Sequence, residues 1–520
     1  MANTNVKKCD LVVLGAAGAG LMAAVKAKDL GVKEVLVLEK AEKPGGCTWF
    51  SGAAPMPDNS TPEQRDDLFR LLMKHLYWNV NPKLIRNAIE ASAPLWSWFS
   101  SVCDVTDWYP KTTAVQESSS QVKMGGADET DPRGIMTSLI AGGFAGGGEQ
   151  ARQINKKSKD PSIGPGSAGS WGITKLLGAC EKMGIPILTS TRATEFITDA
   201  RGNVTGVKAD TKDGKLQVNC KACVVATGGF GADMDKLKKR WPTLLGGENR
   251  FHRFSCPTDT GDAIEMAEKI GIKVDWENMN ILLGGVAHHP YSGSIVEFVR
   301  NPEIVFVNLN GERFVDEDLG MGTTYIMTKQ PKSQMYFIAD HDLVDTLGKR
   351  NVTGRQPVRD AMLKDYWEDV AYEASLDEKG APGNHTKSSD TLEGLAKKMG
   401  VDPKAFVKTI ETYNQYCDNK RDLDFAKKPE YLIPIRKPPF YAFFGQRFLE
   451  STHGGLVVNE NMEVLKDRDK KDVVPGLFCA GDASGGWVVD KPLPPISAGA
   501  WMPNSGYLAG IAAAKYLGKA

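Results

Sequence analysis

The segments DLVVLGAAGAGLMAA (residues 10–24) and VLVLEK (residues 35–40) decide the fold class of this chain. The first contains an unbroken apolar run at residues 11–14, as expected for a parallel strand that is covered on both faces. A glycine-rich turn follows at once and leads into a helix with apolar periodicity that begins near Ala17. The second segment predicts the next parallel strand. The pattern therefore predicts a βαβ unit and an α/β, Rossmann-like fold.

The small residues in this turn are typical of a site that binds the pyrophosphate of a dinucleotide. Gly15, Gly18 and Gly20 lack the Cβ atoms that would keep a phosphate from the backbone, and the helix directs its N–H groups and positive dipole end to that position. Ala17 departs from the G-x-G-x-x-G pattern but is the smallest possible intrusion. Glu39 lies 19 residues after Gly20, where a carboxylate can accept hydrogen bonds from ribose hydroxyls. A tight structural turn in an ordinary α/β domain is the alternative.

Composition restricts the class of protein. The chain has 520 residues, more than one hydrophobic core usually organises, so two domains are expected. Lys plus Arg and Asp plus Glu both total 64, so no net field favours nucleic acid, an anionic membrane or a polyanionic substrate. The longest apolar runs are far shorter than a bilayer span, which predicts no membrane anchor. Nine cysteines, an odd number, and no secretory segment before Val6 predict a protein of the reducing cytoplasm.

Residues 111–170 differ in composition from the rest of the chain. They contain few branched apolar residues and many glycines, and they show no clear periodicity. Long segments of this kind are either disordered or lie as functional loops over a site. We expect a loop that covers the bound ligand.

A buried strand is predicted from Leu216 to Ala226, and it ends at a second glycine turn, residues 227–229. This repeats the layout of the first strand, with a Gly-Gly turn at the ligand edge of the sheet. Cys220 and Cys223 form a C-x-x-C pair within this strand, where alternation places them on opposite faces. We interpret them as packing residues, not as a redox pair or half of a zinc site, and we predict no metal site.

Further motifs extend the pattern along the chain. They are KPGG at residues 43–46, ATGG at 226–229, TGD at 260–262, GERF at 311–314, PPFY at 438–441, HGG at 453–455 and PGLFCAGD at 475–482. Together with the opening unit, they resemble the FAD-binding superfamily of soluble fumarate reductases, urocanate reductases and 3-ketosteroid Δ1-dehydrogenases. The resemblance implies a Rossmann-like (GR2-type) FAD-binding domain made of residues 1–278 and 447–520, with an inserted α+β capping domain at residues 279–446.

The resemblance also implies non-covalent FAD, held by residues of these motifs and their neighbours. In the loop after the second strand, Thr48 and Ser51 supply short hydrogen bonds, and Asp482 stands at a strand end where a carboxylate suits the ribityl hydroxyls. The residues expected at the cofactor are Gly15, Ala17, Gly18, Ala19, Gly20, Glu39, Lys40, Gly45, Gly46, Cys47, Thr48, Ser51, Gly52, Thr194, Thr227, Gly228, Gly229, Gly261, Asp262, His453, Gly454, Gly481, Asp482 and Ser497.

The chemistry implied by the family is hydride transfer between flavin N5 and one carbon of a C=C bond, with proton transfer at the neighbouring carbon by a side chain. Glu297 and Arg300 match the proton-relay pair of the fumarate reductases; a surface i,i+3 ion pair is the alternative. Met321 holds the position of the catalytic arginine, or of the ketosteroid enzymes' tyrosine, and methionine cannot donate a proton.

The other catalytic candidates are tyrosines and histidines. Tyr325 lies four residues after that methionine, where a phenol could reach the vacated position; an ordinary half-buried aromatic residue is the alternative. His289 and Tyr291 lie where the family often places substrate-facing residues, although packing or surface roles are equally open. His453 directly precedes the glycines expected beside the flavin, and Ser451 occupies the place where fumarate reductases have a histidine.

The missing arginines determine the expected substrate. No arginine lies in residues 491–494, where the second substrate-binding arginine of fumarate reductases is expected. Two buried carboxylates without charge-assisted partners would be costly, so fumarate is not expected to bind. We expect an FAD-dependent ene-reductase that acts on a hydrophobic enone, steroid-like molecule or aryl acrylate. A ketosteroid-type dehydrogenase working in the opposite direction and a non-catalytic electron carrier are the alternatives. Since no haem or iron–sulfur motif is seen, the electron donor is NAD(P)H or a separate reductase.

Overall fold

The computed structural model describes residues 5–50, 60–106, 168–242, 252–253, 255–286, 302–318, 326–349, 374–375, 386–489 and 498–519. The strands in these residues are β1 Asn5–Lys8, β2 Leu11–Leu14, β3 Val35–Leu38, β4 Ile187–Leu188, β5 Thr191–Thr198, β6 Val204–Thr211, β7 Gly214–Asn219, β8 Ala222–Val225, β9 His252–Arg253, β10 Asn280–Val286, β11 Val305–Asn308, β12 Gln334–Asp340, β13 Lys387–Ser389, β14 Phe440–His453, β15 Leu456–Val457, β16 Glu463–Asp467, β17 Lys470–Cys479 and β18 Ser484–Gly485. The α-helices are α1 Gly18–Asp29, α2 Pro62–His75, α3 Pro82–Val102, α4 Ala168–Lys182, α5 Met234–Arg240, α6 Asp262–Lys269, α7 His341–Lys349, α8 Leu392–Met399, α9 Pro403–Asp418 and α10 Ala498–Tyr516.

A six-stranded sheet with the order β16–β17–β8–β2–β3–β4 forms the centre of the first hydrophobic core. Neighbouring strands are parallel except β16, which pairs antiparallel with β17. Every residue of β2, β3 and β8 is buried, as their unbroken apolar runs predict for strands covered on both faces. Helices α1, α4 and α10 pack together on this sheet, and β6 of a second sheet, ordered β1–β7–β6–β5, contacts β8 and β17. The predicted α/β, Rossmann-like architecture is confirmed.

The single strand predicted from Leu216 to Ala226 is wrong, because two strands in different sheets occupy this segment. β7 belongs to the four-stranded sheet, whereas β8 belongs to the six-stranded sheet. Between them, the Cys220 N–H bonds to the Thr205 carbonyl and the Lys221 N–H bonds to the Asp10 carbonyl, which moves the chain from one sheet to the other. Cys220 therefore lies outside both strands, and burial raises the pKa of its thiol to about 12. Cys223 lies within β8 and is a buried free thiol.

The sequence predicts one helix that follows Thr61, where Thr-Pro-Glu-Gln is a typical helix start, and another from about Asn81 to Phe99, and both starts are confirmed by their caps. Thr61 and Gln64 form a capping box before α2, with the Thr61 hydroxyl accepting from the Gln64 N–H at 3.3 Å and the Thr61 N–H donating to the Gln64 side chain at 2.8 Å. The Asn81 side chain accepts from the first N–H groups of α3 in the same way.

The last helix begins earlier than its sequence predicts. The sequence predicts a helix from Ser505 to Tyr516 after a segment of small residues, but α10 begins at Ala498 and continues through Pro503. Small residues explain why it is retained there: a Cβ on Gly506 would lie 2.5 Å from the Ala19 carbonyl oxygen, and one on Gly510 would lie 2.7 Å from that of Ala23. These glycines therefore allow close packing between α1 and α10.

A second hydrophobic core forms around an antiparallel sheet with the order β10–β14–β12–β11, to which β13 and β9 add through β14. This core extends from Ile304 to Phe444, whereas Met279, Ile281 and Leu449 belong to the first core. The 14-residue strand β14 runs from one core to the other. The predicted domain limit at residues 446/447 lies inside this strand, so no linker separates the two parts at that point.

The GERF motif anchors the second core through buried charges. The Arg313 guanidinium donates to Glu317 and Asp422, each at 2.9 Å, and all three side chains are almost completely buried. The Lys427 ammonium lies 3.4 Å from Glu317, which balances two cations against two carboxylates. Despite the opposing effect of burial, Glu317 and Asp422 raise the pKa of Arg313 well above its usual range. The network joins residues that are more than a hundred positions apart.

Within the residues that the structure describes, no helix combines the length and apolar character needed to cross a bilayer. The same residues contain no cluster of three or more His, Cys, Asp or Glu side chains arranged to hold a metal ion.

Candidate functional site

The carboxyl ends of four adjacent parallel strands, β17, β8, β2 and β3, meet at one edge of the large sheet. Within three residues of these ends come Asp482, Gly228, Gly15 and Glu39, respectively. Ligands of open α/β sheets bind outside the carboxyl ends of the strands. This edge, together with the loops that cover it, is the candidate site.

The glycines of the first turn are required by the protein's own packing. Gly15 has φ +103°, and a Cβ there would lie 2.2 Å from the Ala226 carbonyl oxygen. A Cβ on Gly20 would lie 1.9 Å from the Gly15 carbonyl oxygen. A Cβ on Gly18 would meet the flexible side chain of Met502. The glycines therefore let strand β2, helix α1 and the turn after β8 approach one another, which differs from the phosphate clearance inferred from the sequence.

The N-terminus of α1 opens onto this edge without a cap from its own N-cap residue. Its N-cap residue, Ala17, makes no capping hydrogen bond, and the Gly18 N–H donates to the Thr48 hydroxyl at 3.1 Å. The loop that carries Thr48 is held by the Gly45 N–H, which donates to the Ala16 carbonyl at 2.8 Å. The positive end of the helix dipole therefore faces the site. Gly46 (φ +49°) lies in the same loop, close to Ala17, and Ala19 lies in the first turn of α1.

Glu39 is fixed at the end of β3. Its two carboxylate oxygens accept the Ala16 and Ala41 N–H groups, each at 2.8 Å, and the residue is buried. Each carboxylate oxygen has a second lone pair, so the group can still accept from a ligand hydroxyl.

Lys40 and Asp262, both predicted at the cofactor, are bound to each other. The Lys40 ammonium donates to the Asp262 carboxylate at 3.0 Å and to the Thr260 hydroxyl at 2.7 Å, and Arg192 donates to the same carboxylate at 2.9 Å. Although burial opposes it, these partners lower the pKa of Asp262. The Gly261 N–H donates to the Gly229 carbonyl at 3.1 Å, which ties this cluster to the turn after β8.

A buried carboxyl group lies under that same turn. Asp259 accepts a hydrogen bond from the Cys47 thiol at 2.9 Å, and the Cys256 N–H donates to the same sulfur at 3.1 Å. Burial, with a contribution from the nearby Asp482, raises the pKa of Asp259 to about 7. The Cys256 thiol, burial and Asp259 all raise the pKa of Cys47, so its thiol stays protonated.

Asp259 and Arg192 are site residues that the sequence did not reveal. Asp259 directly precedes the TGD motif, but its partner Cys47 lies 212 residues away, and only the fold brings them together. Arg192 is a strand residue without a motif. A carboxylate next to a glycine-rich motif is the one signal that could have drawn attention to Asp259.

His453 lies in the middle of a chain of three polar side chains. Its Nδ1 is 3.0 Å from the Asp482 carboxylate, and its Nε2 is 3.1 Å from the Ser451 hydroxyl. His453 is completely buried, and its ring centroid is 5.6 Å from that of Trp487. The Gly454 N–H donates to the Asp482 carbonyl at 3.1 Å, which fixes the position of the segment carrying His453 relative to the segment carrying Asp482.

A pair of stacked indoles lies beside this histidine. Trp487 stacks on Trp501 with centroids 4.6 Å apart, and both indoles are completely buried. Their N–H groups donate to the Ser484 carbonyl and hydroxyl, each at 2.8 Å, so the polar atoms of the pair are satisfied internally. One side of His453 therefore lies against an apolar pair of indoles, while its two ring nitrogens contact Ser451 and Asp482.

Thr194, also predicted at the cofactor, has its partners in the four-stranded sheet. Its hydroxyl donates to the Lys208 carbonyl at 3.4 Å, and its own carbonyl accepts from Lys269. These bonds tie Thr194 to the sheet and to α6 and not to the residues at the candidate edge.

Several predicted residues lie outside the part of the chain that the structure describes. They are Ser51, Gly52, His289, Tyr291, Glu297, Arg300, Tyr325 and Ser497. Met321, residues 491–494 and almost all of the predicted covering loop at 111–170 also lie outside it.

A family model for an FAD binding domain matches residues 10–490 of the chain. The chain belongs to this FAD-binding family. The match begins at the opening βαβ unit and extends past Asp482, so the resemblance inferred from the motifs is confirmed.

This FAD-binding protein is 26% identical to a vinyl phenol reductase of Lactiplantibacillus plantarum, over 92% of the chain and 91% of that protein. It is 28% identical to an NADH:acrylate oxidoreductase of Vibrio harveyi over 92% of the chain, and it spans only 47% of that protein. The open conformation of a flavocytochrome c3 fumarate reductase aligns with a TM-score of 0.67 and 23% identity, over 98% of this chain and 78% of that one. The structural likeness shows the shared fold. The protein is an FAD-dependent oxidoreductase.

The residues at the sheet edge fit FAD. The Thr227 hydroxyl is buried and has no hydrogen-bond partner among the described residues, so a polar ligand atom can satisfy it. The uncapped N-terminus of α1 suits a pyrophosphate, and the remaining lone pairs of Glu39 suit ribose hydroxyls. The donor set thus matches both the anionic and the hydroxyl-bearing parts of the cofactor.

Proposed function

We propose that this protein is an FAD-dependent reductase of an activated C=C bond in a hydrophobic small molecule, and not a fumarate reductase. The observation that carries the proposal is the apolar, aromatic setting of His453, next to the stacked indoles of Trp487 and Trp501. An enone, a steroid-like molecule or an aryl acrylate suits such a setting because its apolar carbon skeleton needs no charged partners, unlike the two carboxylates of fumarate.

The sequence supports the exclusion of a dicarboxylate. Met321 stands where the family places a catalytic arginine, and residues 491–494 contain none. A dicarboxylate would bury two charges, and each needs a charge-assisted partner to offset its desolvation. The relative named vinyl phenol reductase, which aligns along nearly its whole length, is in keeping with an aryl alkene.

We propose that FAD is held non-covalently by hydrogen bonds at the sheet edge. Glu39 accepts from the adenosine ribose, the N-terminus of α1 and Thr48 hold the pyrophosphate, and Thr227 and Asp482 bond to the flavin half. When bound, FAD supplies hydride transfer to carbon. Gly228, Gly454 and Gly481 are also predicted contacts; a Cβ there would meet protein atoms at 2.8, 3.2 and 3.0 Å, respectively, so these positions are closely packed.

The donor of electrons is proposed to be NAD(P)H or a separate reductase, and the site of action the cytoplasm. All nine cysteines are free thiols, which suits a reducing compartment. A dehydrogenase of a steroid-like ketone uses the same site in the opposite direction and is the second candidate. The fixed Ser451–His453–Asp482 chain argues against a carrier without catalysis, because an electron carrier needs no proton donor at the flavin.

The test is to reduce the protein's flavin anaerobically and to follow the return of the oxidised visible band with a panel of alkenes. The panel contains fumarate, urocanate, cinnamates and ketosteroid enones. Reoxidation by an enone or cinnamate but not by fumarate supports the proposal. Fast reoxidation by fumarate would show that the substrate class is wrong. Reoxidation by none of them would favour the dehydrogenase, which is then tested with saturated ketosteroids and oxidised flavin.

A further inference from the structure

Ser451, His453 and Asp482 form a continuous hydrogen-bonded chain beside the proposed cofactor site. The two links measure 3.1 Å and 3.0 Å, both normal hydrogen-bond lengths. The order hydroxyl, imidazole, carboxylate is the one that moves a proton to or from a hydroxyl in unrelated enzymes. His453 and Asp482 are both among the residues predicted at the flavin, and Ser451 lies two residues before His453.

Strand β14 determines which way the chain points. Side chains alternate along a strand, so Ser451 and His453 share a face and Thr452 takes the other. The Thr452 hydroxyl accepts from the Phe230 N–H at 2.8 Å, so that second face packs against the turn after β8. Ser451 is half-buried, whereas His453 is completely buried. Asp482 is half-buried as well, but a carboxylate has no proton to donate, so the hydroxyl is the end of the chain that can donate to a small molecule.

A β-bulge sits immediately before Ser451. Ser451 pairs with Leu282 of β10, but the next pair is Leu449 with Leu283, so residue 450 is extra. Bulges re-aim side chains and are common beside active sites. The irregularity separates the regular part of β14, inside the second core, from the three residues that lead to the HGG motif.

The carboxylate fixes the state of the imidazole. A carboxylate can only accept, so Nδ1–H donates to Asp482 and Nε2 faces the serine. Neither end of the imidazole contacts water directly, because the side chain is completely buried.

We propose that Ser451 is the proton donor of the C=C reduction and that His453, held by Asp482, resupplies its proton. The inference rests on the proposed function and deepens it by naming a proton donor, because Met321, at the family's catalytic position, cannot donate a proton. The O–H bond of Ser451 breaks, and its proton forms a C–H bond with the electron pair that hydride addition leaves on the neighbouring substrate carbon. The Nε2–H of His453 passes to the serine oxygen at the same time. His453 is left neutral, with Nδ1–H on Asp482, and after product release a new proton from solvent reaches Nε2 through the half-buried Ser451 hydroxyl.

The first test compares Ser451→Ala, Ser451→Thr and, as a matched control, Ser100→Ala, which removes a hydroxyl bonded only to carbonyls of its own helix α3. FAD content and the rate of chemical reduction are measured first and should be equal in all of them. Reoxidation by the best alkene should then fall about 100-fold or more in Ser451→Ala, the usual contribution of a positioned acid. Ser451→Thr, which keeps the hydroxyl, should stay within about 5-fold of the wild type, a smaller loss than that of the acid itself.

The second test uses the wild-type protein alone. Two protons move together in the relay, so a plot of the reoxidation rate against the fraction of D₂O should be curved. A straight line would overturn the relay.

The third test needs no turnover. It uses ¹⁵N NMR of the seven histidines, with the His453 signals assigned from His453→Gln. Ser451→Ala should shift Nε2 of His453, and Asp482→Asn should shift Nδ1.

Each outcome decides one question. If the wild type reacts with an alkene and Ser451→Ala reacts within about 3-fold of it, a loss far below that of a missing general acid, the relay is wrong and the proposed function stands. If the His453 signals do not respond to either variant, the relay is also wrong. If no alkene reoxidises the wild type, the proposed function fails, and the relay fails with it.

Discussion

Asp259 illustrates how a single buried side chain acquires its properties. Its carboxylate is removed from water and lies near a second acid, Asp482, so the neutral form is favoured and the pKa rises to about 7. The Cys47 thiol, whose own pKa is raised, is the hydrogen-bond donor that accompanies it. A carboxyl group that titrates near neutral pH at the edge of a cofactor site is a feature of functional sites in general.

Asp259 should make the stability of the protein depend on pH. Because its pKa is higher in the folded protein, the folded state holds a proton that the unfolded state has lost between about pH 4 and about pH 7. The stability from this group is complete below about pH 4 and is lost as the pH rises through about 7. From about pH 5 to about pH 8, the free energy of unfolding of the wild type should therefore fall by about 2 to 3 kcal/mol more than that of Asp259→Asn, which lacks the titrating group. Urea midpoints of both proteins at the two pH values measure this, and an unchanged pH slope in the variant would contradict it.

At the scale of the element, the contact between helix α1 and the turn before it is the tightest in the site. The sequence predicts that its glycines admit a phosphate, yet their missing Cβ atoms are needed first for backbone packing. The glycines therefore allow helix α1 to lie close to the turn. The position of the helix in turn determines where its dipole points.

Gly20→Ala should weaken the protein, and Gly178→Ala provides the matched control. Both glycines lie within helices, but a Cβ at Gly20 would lie 1.9 Å from a backbone oxygen, while nothing lies within 4 Å of one at Gly178. We expect Gly20→Ala to cost at least about 2 kcal/mol through overpacking. Gly178→Ala should add about 0.5 kcal/mol through reduced backbone entropy. Thermal melts of both variants test this, and equal melting temperatures would contradict it.

The charge network around Arg313 is an element-scale device of the second core. Replacing Arg313 by Ala leaves the buried carboxylates of Glu317 and Asp422 with one cation fewer, which should cost about 3 to 5 kcal/mol. Arg436, whose ion pair with Asp418 is about half exposed, is the control, and its replacement by Ala should cost less than about 1 kcal/mol. Thermal unfolding measures both, and a loss of similar size in the two variants would show that the buried network is not special.

At the scale of the whole molecule, the site is assembled from segments at both ends of the chain. Gly15 and Glu39 come from the start, Asp259 from the middle, and His453 and Asp482 from the end. Strand β14 connects this assembly to the second core, because one half of it pairs with β12 and the other half with β10. The two cores therefore share a strand at the position where the proposed substrate and cofactor meet.

Stabilisation by nucleotide should report this assembly. Protein stripped of its flavin should melt at a higher temperature when FAD is added, by an amount that corresponds to about 2.7 kcal/mol at 100 times the Kd. FMN should stabilise less, because it lacks the adenosine that Glu39 is proposed to hold. Differential scanning fluorimetry with both nucleotides measures the difference, and equal shifts would contradict the proposed placement of FAD.

The amino-acid sequence by itself determined the opening βαβ unit, the starts of α2 and α3, the FAD-binding family and most of the motifs at the sheet edge. These follow from local patterns: apolar runs, glycine spacing and caps act over a few residues, so they can be read without the fold. Only the tertiary structure decided that the segment from Leu216 to Ala226 is two strands, and that Lys40 and Asp262 bind each other. It alone brought Cys47 to Asp259 and showed Ser451, His453 and Asp482 as one chain. Each of these depends on contacts between residues distant in sequence, or on which sheet a strand joins, and such contacts exist only once the cores have packed.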